Sequence, residues 1–402
     1  MATTLTLRLT KGSQLTAQEL DDNFTALDSS ITNGSGIKLD SANDWTALNN
    51  FEAGLQSPGA GTNSFRAGTN AGATTQGTSS VALGENAGQT DQLGYSVAIG
   101  SGAGQTDQGV FSVGVGIAAG NTAQGNAGVA VGANAGSITQ GQSAVGIGNG
   151  AAQNFQGDFS VAVGVSAGKD SQGENAIAIG NSAGEDSQGE KAIAIGFNSG
   201  NDNQGVSGVS VGWNSGQISQ GSGSVAVGKN AGQTTQGASS TAVGTGSGQT
   251  AQGTFSVAFG AGAGNNQQGS QSVSIGNSAG NRSQGNSSVA IGPSAGRYSQ
   301  SNLSIAIGDN AGSDSQQNNA IAVGTNSGEF QQGQFSTAIG PSAGKTGQGI
   351  NSVAIGSQAG TDSQGANSVA IGDQTATTLQ GQSAVAIGRG AGSLSQGEQG
   401  IA

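Results

Sequence analysis

The sequence predicts an all-β protein: a repetitive β-solenoid, or β-roll, of 16-residue coils that is homotrimeric and carries a short helical docking segment at its N-terminus. Three observations predict this fold. A 16-residue repeat runs from Gly68 onward without insertion or deletion. Every repeat contains a short stretch in which aliphatic and small residues alternate, the period of a strand. Finally, 77 of the 402 residues are Gly and 4 % are aromatic, which is too little side-chain volume for a globular core of this length.

Two residue types mark the register of the repeat. Gly recurs once in every repeat from Gly68 to Gly388, and Gln recurs once in every repeat from Gln76 to Gln396, each in 21 places. A fixed period of this kind is the signature of a solenoid, in which each coil stacks on the one before it. At about 4.8 Å per coil, the repeats predict an uninterrupted rod roughly 100 Å long.

The strand of each coil is restricted on both faces. In the typical unit Ser96–Phe111, Val97 and Ile99 alternate with Ser96 and Ala98. From the second unit on, the first face carries only Val, Ile, Leu, Thr or Phe, and the second only Ser, Ala or Gly. A strand with one face in water would carry charged residues there. We therefore expect the strand to be covered on both sides, with another backbone close to the small face.

Glycine indicates where each coil turns. The strand ends at the recurrent Gly, and an Ala-Gly pair such as Ala87-Gly88 follows after a two-residue gap. A second short segment runs into the recurrent Gln, after which Gly109 or its equivalent marks a second corner. Helix is disfavoured in the repeats, because each Gly would cost about 1 kcal/mol relative to Ala.

The small number of large side chains predicts self-association. Each coil supplies two sizeable aliphatic side chains, too few to offset the entropy lost on ordering the backbone of the whole coil. A core shared by three chains would place six aliphatic side chains in each layer and would cover the small face as well. This predicts a homotrimer; a single-chain solenoid is the alternative.

The recurrent Gln column is predicted to form a structural ladder. Stacked amides at coil spacing can each donate to the next carbonyl oxygen, which satisfies polar groups in the interior. The alternative is a row of amides that binds a ligand. The residues predicted to form the ladder are Gln76, Gln92, Gln108, Gln124, Gln140, Gln220, Gln236 and Gln396.

The N-terminal region lacks the repeat. Thr16 precedes Glu19 at capping-box spacing, which predicts the start of a helix. One apolar stripe follows and is predicted to mediate trimerisation and docking; simple packing on the first coils is the alternative. The stripe consists of Leu20, Phe24, Leu27 and Ile31. The predicted organisation is an attachment segment at 1–35, a linker at 36–64 and the solenoid shaft at 65–402.

Composition argues against catalysis and against several partners. The chain has no His and no Cys, and no catalytic, cofactor-binding or metal site is predicted. Glu185-Asp186 is interpreted as a solvated turn, and Gly340–Thr346 resembles a phosphate loop but is one residue short. A net charge of −12 argues against nucleic acid. The N-terminus has no signal-peptide pattern and no stretch is long enough to span a membrane, so we expect synthesis in the cytoplasm without membrane insertion.

Aromatic residues recur at one position just before the strand. We expect them to cover a seam between chains, and exposed sugar-stacking platforms are the alternative. The aromatic residues at this position are Tyr95, Phe111, Phe159, Phe255 and Phe335.

Two resemblances to known families follow from these motifs. The string Thr10-Lys-Gly-Ser-Gln-Leu-Thr-Ala-Gln-Glu-Leu-Asp-Asp-Asn-Phe-Thr-Ala-Leu27 resembles the opening of tail-fibre proteins of tailed bacteriophages, notably those that infect cyanobacteria. That resemblance implies attachment to a tail or baseplate protein. The repeated Ser-Val-Ala-Ile-Gly-x-x-Ala-Gly is similar to the head repeats of trimeric autotransporter adhesins, which form trimeric left-handed β-rolls of shorter period.

The sequence thus predicts the shaft of a bacteriophage tail fibre, located in the virion. A bacterial or environmental surface fibre or adhesin is the second hypothesis, and a carbohydrate-active β-helix enzyme is a distant third. The last repeat stops two residues before its closing Gly, at Ala402. We expect the chain to continue beyond it into a tip that binds a host surface receptor, because an open solenoid end would template aggregation.

Overall fold

The computed structural model describes residues 61–402, which belong to one compact unit spanning Gln56–Ala402. The described residues form a parallel β-solenoid of 21 coils and contain no α-helix. No segment among them therefore has the length and hydropathy of a membrane-spanning helix. The predicted all-β solenoid of 16-residue coils is confirmed. The helix predicted at 16–31 lies outside the described residues.

Each coil contributes one three-residue strand to a long parallel sheet, here called sheet A. Every strand pairs with the equivalent strand of the next coil, so that Val97 lies beside Val113 and Ile99 beside Val115. The strands are Phe65–Ala67, Val81–Leu83, Val97–Ile99, Val113–Val115, Val129–Val131, Val145–Ile147, Val161–Val163, Ile177–Ile179, Ile193–Ile195, Val209–Val211, Val225–Val227, Thr241–Val243, Val257–Phe259, Val273–Ile275, Val289–Ile291, Ile305–Ile307, Ile321–Val323, Thr337–Ile339, Val353–Ile355, Val369–Ile371 and Val385–Ile387.

The segment that ends at the recurrent Gln forms the second sheet, sheet B. Its strands again pair from one coil to the next, and between Arg282 and Asp362 the ladder continues as isolated bridges. The strands are Thr74–Gln76, Thr90–Gln92, Thr106–Gln108, Thr122–Gln124, Ile138–Gln140, Asn154–Gln156, Asp170–Gln172, Asp186–Gln188, Asp202–Gln204, Ile218–Gln220, Thr234–Gln236, Thr250–Gln252, Asn266–Gln268, Arg282–Gln284, Asp362–Gln364 and Thr378–Gln380.

The positions of a coil are numbered here from the residue before the sheet A strand, so that Ser96 is position 1 and Phe111 is position 16. Backbone φ is positive at positions 5, 7, 9, 12 and 16 in nearly every coil. Position 5 is always Gly because a side chain cannot fit. At Gly196, φ is 124° and an added Cβ would lie 2.6 Å from the carbonyl oxygen of Gly212 in the next coil.

The interior of each coil is filled by small residues and one amide. Ser or Ala at position 1, Ala at positions 3 and 8, and Gln at position 13 are buried; Ala98, Ala103 and Gln108 are examples. The small face of the sheet A strand is therefore covered by its own coil. Our expectation that a trimer would cover this face was wrong, because the Gln side chain reaches across the coil and leaves no room for a second chain.

Candidate interaction surface

The outer face of sheet A carries the aliphatic side chains of the repeat. Positions 2 and 4 point away from the coil interior, and ten of the large side chains at position 4 are 36–59 % exposed. Positions 2 and 4 carry no charged residue from Val81 to Ile387. Soluble monomers rarely expose a continuous apolar surface of this extent. This face, called here the aliphatic face, is the candidate interaction surface.

Position 16 borders the aliphatic face on the side where the chain enters the strand. The aromatic residues expected to cover a seam lie here. They are exposed in the described chain, and the one ring contact among them stacks Tyr95 on Phe111 at 5.2 Å between centroids. Their backbones are left-handed, as shown by φ values of 59° at Phe111 and 56° at Phe159. Bulky residues adopt this conformation only at a cost.

Position 6 borders the aliphatic face on the opposite side, after the corner Gly. Ile117, Val165, Phe197 and Trp213 occupy this position and are 49–64 % exposed. Phe197 meets Trp213 edge to face at 6.3 Å, and the Lys229 ammonium lies 4.7 Å from the Trp213 ring centroid. Sequence reasoning missed this border. The signal lies in the few coils where position 6 departs from polar or small residues.

The recurrent Gln side chains lie inside the solenoid and connect its two sheets. Gln108 Nε2 donates to the carbonyl oxygen of Val97 at 2.8 Å, within the same coil. The same amide donates to Gln124 Oε1 in the next coil at 3.2 Å. All eight residues predicted for the ladder occupy this position and are at most 9 % exposed. The side chains donate to carbonyl oxygens of their own coil, as Gln220 does to Val209 at 2.9 Å, so the geometry supports internal bonding.

Successive amides form one directional chain over most of the rod. Every Nε2 donates to the next Oε1 from Gln108 to Gln268. Ser274 Oγ then accepts from Gln268 and donates to Gln284, and amide-to-amide bonds continue to Gln348. The prediction was wrong for Gln76 and Gln92, whose Nε2 atoms donate only to backbone carbonyl oxygens and whose Oε1 atoms lack partners. The Oε1 atoms of Gln364 and Gln380 also lack partners, so the ladder is interrupted there.

The acidic pair flagged in the sequence lies at positions 10 and 11, on the solvent side of sheet B. Asp170 and Asp186 are registered neighbours in successive coils. Burial and then the carboxylates of Asp170 and Glu185 raise the pKa of Asp186. Lys169 lies 3.8 Å from Glu185 and offsets part of this repulsion. Within residues 61–402, no cluster of His, Cys, Asp or Glu could hold a metal ion.

The stretch that resembles a phosphate loop has no helix to open. Gly340–Thr346 occupies positions 5 to 11 of an ordinary coil, with Gly340 at the corner and Thr346 in an isolated bridge. Lys345 forms an ion pair with Glu329 at 3.5 Å.

The docking residues Leu20, Phe24, Leu27 and Ile31 lie outside the described residues, and their role stays a prediction.

Comparison with known proteins supports the repeat but not the N-terminal resemblance. The family model of the YadA head domain repeat matches residues 302–327, 348–375 and 363–391. No curated protein and no solved structure matches the chain. The adhesin-like character of the repeats is therefore confirmed, and the chain is a β-roll similar to an adhesin head. The phage-like N-terminal string has no counterpart in these comparisons.

Proposed function

We propose that this protein is the shaft of a bacteriophage tail fibre, a homotrimer that holds the host-recognition part of the fibre away from the virion. In this proposal residues 1–35 attach to a tail or baseplate protein and promote trimerisation, 36–64 link, and 65–402 form the rod. The fibre is made in the host cytoplasm and is located in the virion.

The observation that carries the proposal is the uncovered aliphatic face. It runs along all the coils from Val81 to Ile387 at a constant repeat. A cover for such a face has to present matching apolar side chains about every 4.8 Å over the length of the rod. A second copy of the same chain, aligned in parallel, meets this requirement at every coil. Self-association is therefore the function that the surface supports best.

Three chains are favoured by the similarity of the repeats to those of trimeric adhesin heads. Three aliphatic faces around one axis bury six large side chains in each layer, and sheet B of every chain remains in water. Most side chains on its outer surface are polar, with Asp170, Asp186 and Asp202 as examples. The resulting rod is stiff because every coil bonds to both neighbours, which suits a mechanical spacer and not a catalyst.

A surface adhesin fibre is the second candidate and fits the described residues equally well. The match of the YadA head domain repeat to residues 302–327 and 348–391 is the observation that favours it. Both candidates share the trimeric rod; they differ in what the N-terminal segment attaches to.

Electron microscopy with gold-labelled antibodies against the rod distinguishes the two candidates. Purified phage particles and intact bacterial cells from the source culture are labelled in parallel. If the protein is a tail-fibre shaft, gold label should lie beside the tails of the phage particles, no farther from the baseplate than the length of the rod. Label confined to cell surfaces contradicts the phage assignment and supports the adhesin.

A further inference from the structure

The two borders of the aliphatic face carry large apolar residues that stay exposed in the single chain. The large apolar residues at position 16 are 52–65 % exposed, and their backbones have φ of 55–59°. In most other coils this position carries Asn, Ser or another small or polar residue. The large apolar residues are Tyr95, Phe111, Phe159, Phe255, Leu303 and Phe335.

These residues adopt a strained backbone conformation, and their side chains stay more than half exposed in the single chain. A bulky side chain is strained in the left-handed region, whereas Asn or Gly adopts this conformation at a lower cost. Among them, only Tyr95 and Phe111 form a ring contact with one another. For the other four residues, a contact with a second chain would compensate for the strain.

The partner surface is indicated by what lies at position 6, at the other end of the same sheet A strand. Phe111 is followed across its strand by Ile117, and Phe159 by Val165. Six sheet A strands are preceded by a large apolar residue at position 16, and four of these six are followed by Ile, Val, Ala or Pro at position 6. Of the other fifteen sheet A strands, only four are followed by an apolar residue at position 6. The two positions flank opposite ends of the strand, on the order of 15 Å apart, so they do not touch within one chain.

A cyclic assembly brings these two borders together. Around a rotation axis that runs along the rod, one edge of each subunit meets the other edge of its neighbour, whereas a two-fold axis perpendicular to the rod would make the chains antiparallel and pair each edge with itself. A match between residues that flank equivalent strands further requires parallel chains without a shift along the rod. Resting on the proposed self-association, we propose that position 16 of each copy packs against position 6 of the adjacent copy, in parallel and in register.

The central coils are consistent with this pairing. Lys191 at position 16 flanks the same strand as Phe197 at position 6, which would place a cation beside an aromatic ring of the neighbour. The largest position-6 side chain, Trp213, flanks the same strand as the small residue Ser207. The strands after Tyr95 and Leu303, by contrast, are followed by polar residues at position 6.

Thiol cross-linking of the full-length chain tests the seam, because the protein has no cysteine of its own. The variant Phe111→Cys/Ile117→Cys is treated with a short bismaleimide and separated on a denaturing gel. The control Phe111→Cys/Asn149→Cys moves the second thiol two coils along the rod, about 9.6 Å away. Each single-cysteine variant is run beside them, and sedimentation establishes the oligomeric state of every variant.

The proposed seam predicts a covalent three-chain product for Phe111→Cys/Ile117→Cys, and its loss from the control and from both single-cysteine variants. Cross-linking of Phe111→Cys alone would overturn the pairing, because position 16 would then meet itself. Equal cross-linking of the control would overturn the register. An oligomer in sedimentation that yields no cross-link refutes the seam and leaves the fibre intact, whereas a monomer refutes the proposed function itself.

Discussion

Replacing one buried amide of the Gln column with a carboxylate should destabilise the rod strongly. Gln332 is fully buried. Its Nε2 donates to the carbonyl oxygen of Ile321 at 2.7 Å and to Gln348 Oε1 at 3.1 Å, and its Oε1 accepts from Gln316 at 2.9 Å. In Gln332→Glu, an oxygen replaces the donor and faces two acceptors.

The magnitude follows from those two contacts. A buried polar group left without a partner costs about 1–3 kcal/mol, so the two lost donations cost about 2–6 kcal/mol before any charge is considered. An ionised carboxylate in the interior adds several kcal/mol more unless it takes up a proton. The free energy of unfolding of Gln332→Glu should therefore fall by about 2–6 kcal/mol or more at neutral pH.

The neighbouring residue supplies a matched control. Gln331 is adjacent in sequence and exposed, so Gln331→Glu introduces the same charge into water and should change stability by less than about 0.5 kcal/mol. Both variants are compared with the unmodified chain by chemical denaturation, followed by circular dichroism. Equal stability of Gln332→Glu and Gln331→Glu would refute a buried, bonded column.

The pH dependence of Gln332→Glu gives a second reading. Burial raises the pKa of the introduced carboxyl in the folded state, so the folded protein binds a proton more readily than the unfolded chain does. Stability then falls as pH rises from the unfolded pKa to the folded pKa. The deficit of the variant should shrink on acidification, whereas the control should show no such recovery.

Three further predictions concern separate features and are tested by the same denaturation assay. Gly196→Ala places a Cβ 2.6 Å from a carbonyl oxygen and should cost at least about 3 kcal/mol, whereas Gly223→Ala, with nothing nearer than 3.8 Å, should cost about 1 kcal/mol. Ser247→Ala removes a buried hydroxyl that has no partner and should stabilise by about 1 kcal/mol, while Ser215→Ala loses a 2.6 Å hydrogen bond and should not. Burial and two neighbouring carboxylates raise the pKa of Asp186 above the ordinary Asp value of 3.8, so the folded protein loses stability as pH rises above 3.8. The variant Asp186→Asn should therefore be more stable than the unmodified chain at pH 7 and should lose that advantage below pH 3.8.

Periodicity made the solenoid predictable from the sequence. The invariant Gly at position 5 and Gln at position 13 mark one corner and one interior column, and both are fixed by contacts with the adjacent coil that recur at the period of the repeat. The direction of the strand faces was harder to predict, because both are restricted. Size decides it: a coil whose interior already holds Gln108 and Ala103 has room for the methyl group of Ala98 but not for Val97 or Ile99.

Of the two borders of the aliphatic face, only the one at position 16 could be predicted from the sequence. Aromatic residues at position 16 recur often enough to form a visible column, whereas Phe197 and Trp213 occupy position 6 in two coils of the 21. Comparing the repeats position by position therefore does not single out such rare residues. Their significance depends on knowing that position 6 lies beside the aliphatic face, which is a property of the folded coil. The left-handed backbone of Phe111 is indicated only by the equivalent residues of other coils, such as Asn175 and Gly223.

The central claim is that the aliphatic face is buried by further copies of the same chain. Sedimentation equilibrium of the full-length protein, at micromolar concentration and neutral pH, tests it most directly. The account predicts a single species with three times the 38.4 kDa mass of one chain. A folded species of 38.4 kDa, with the circular dichroism spectrum of a β-solenoid, would contradict it.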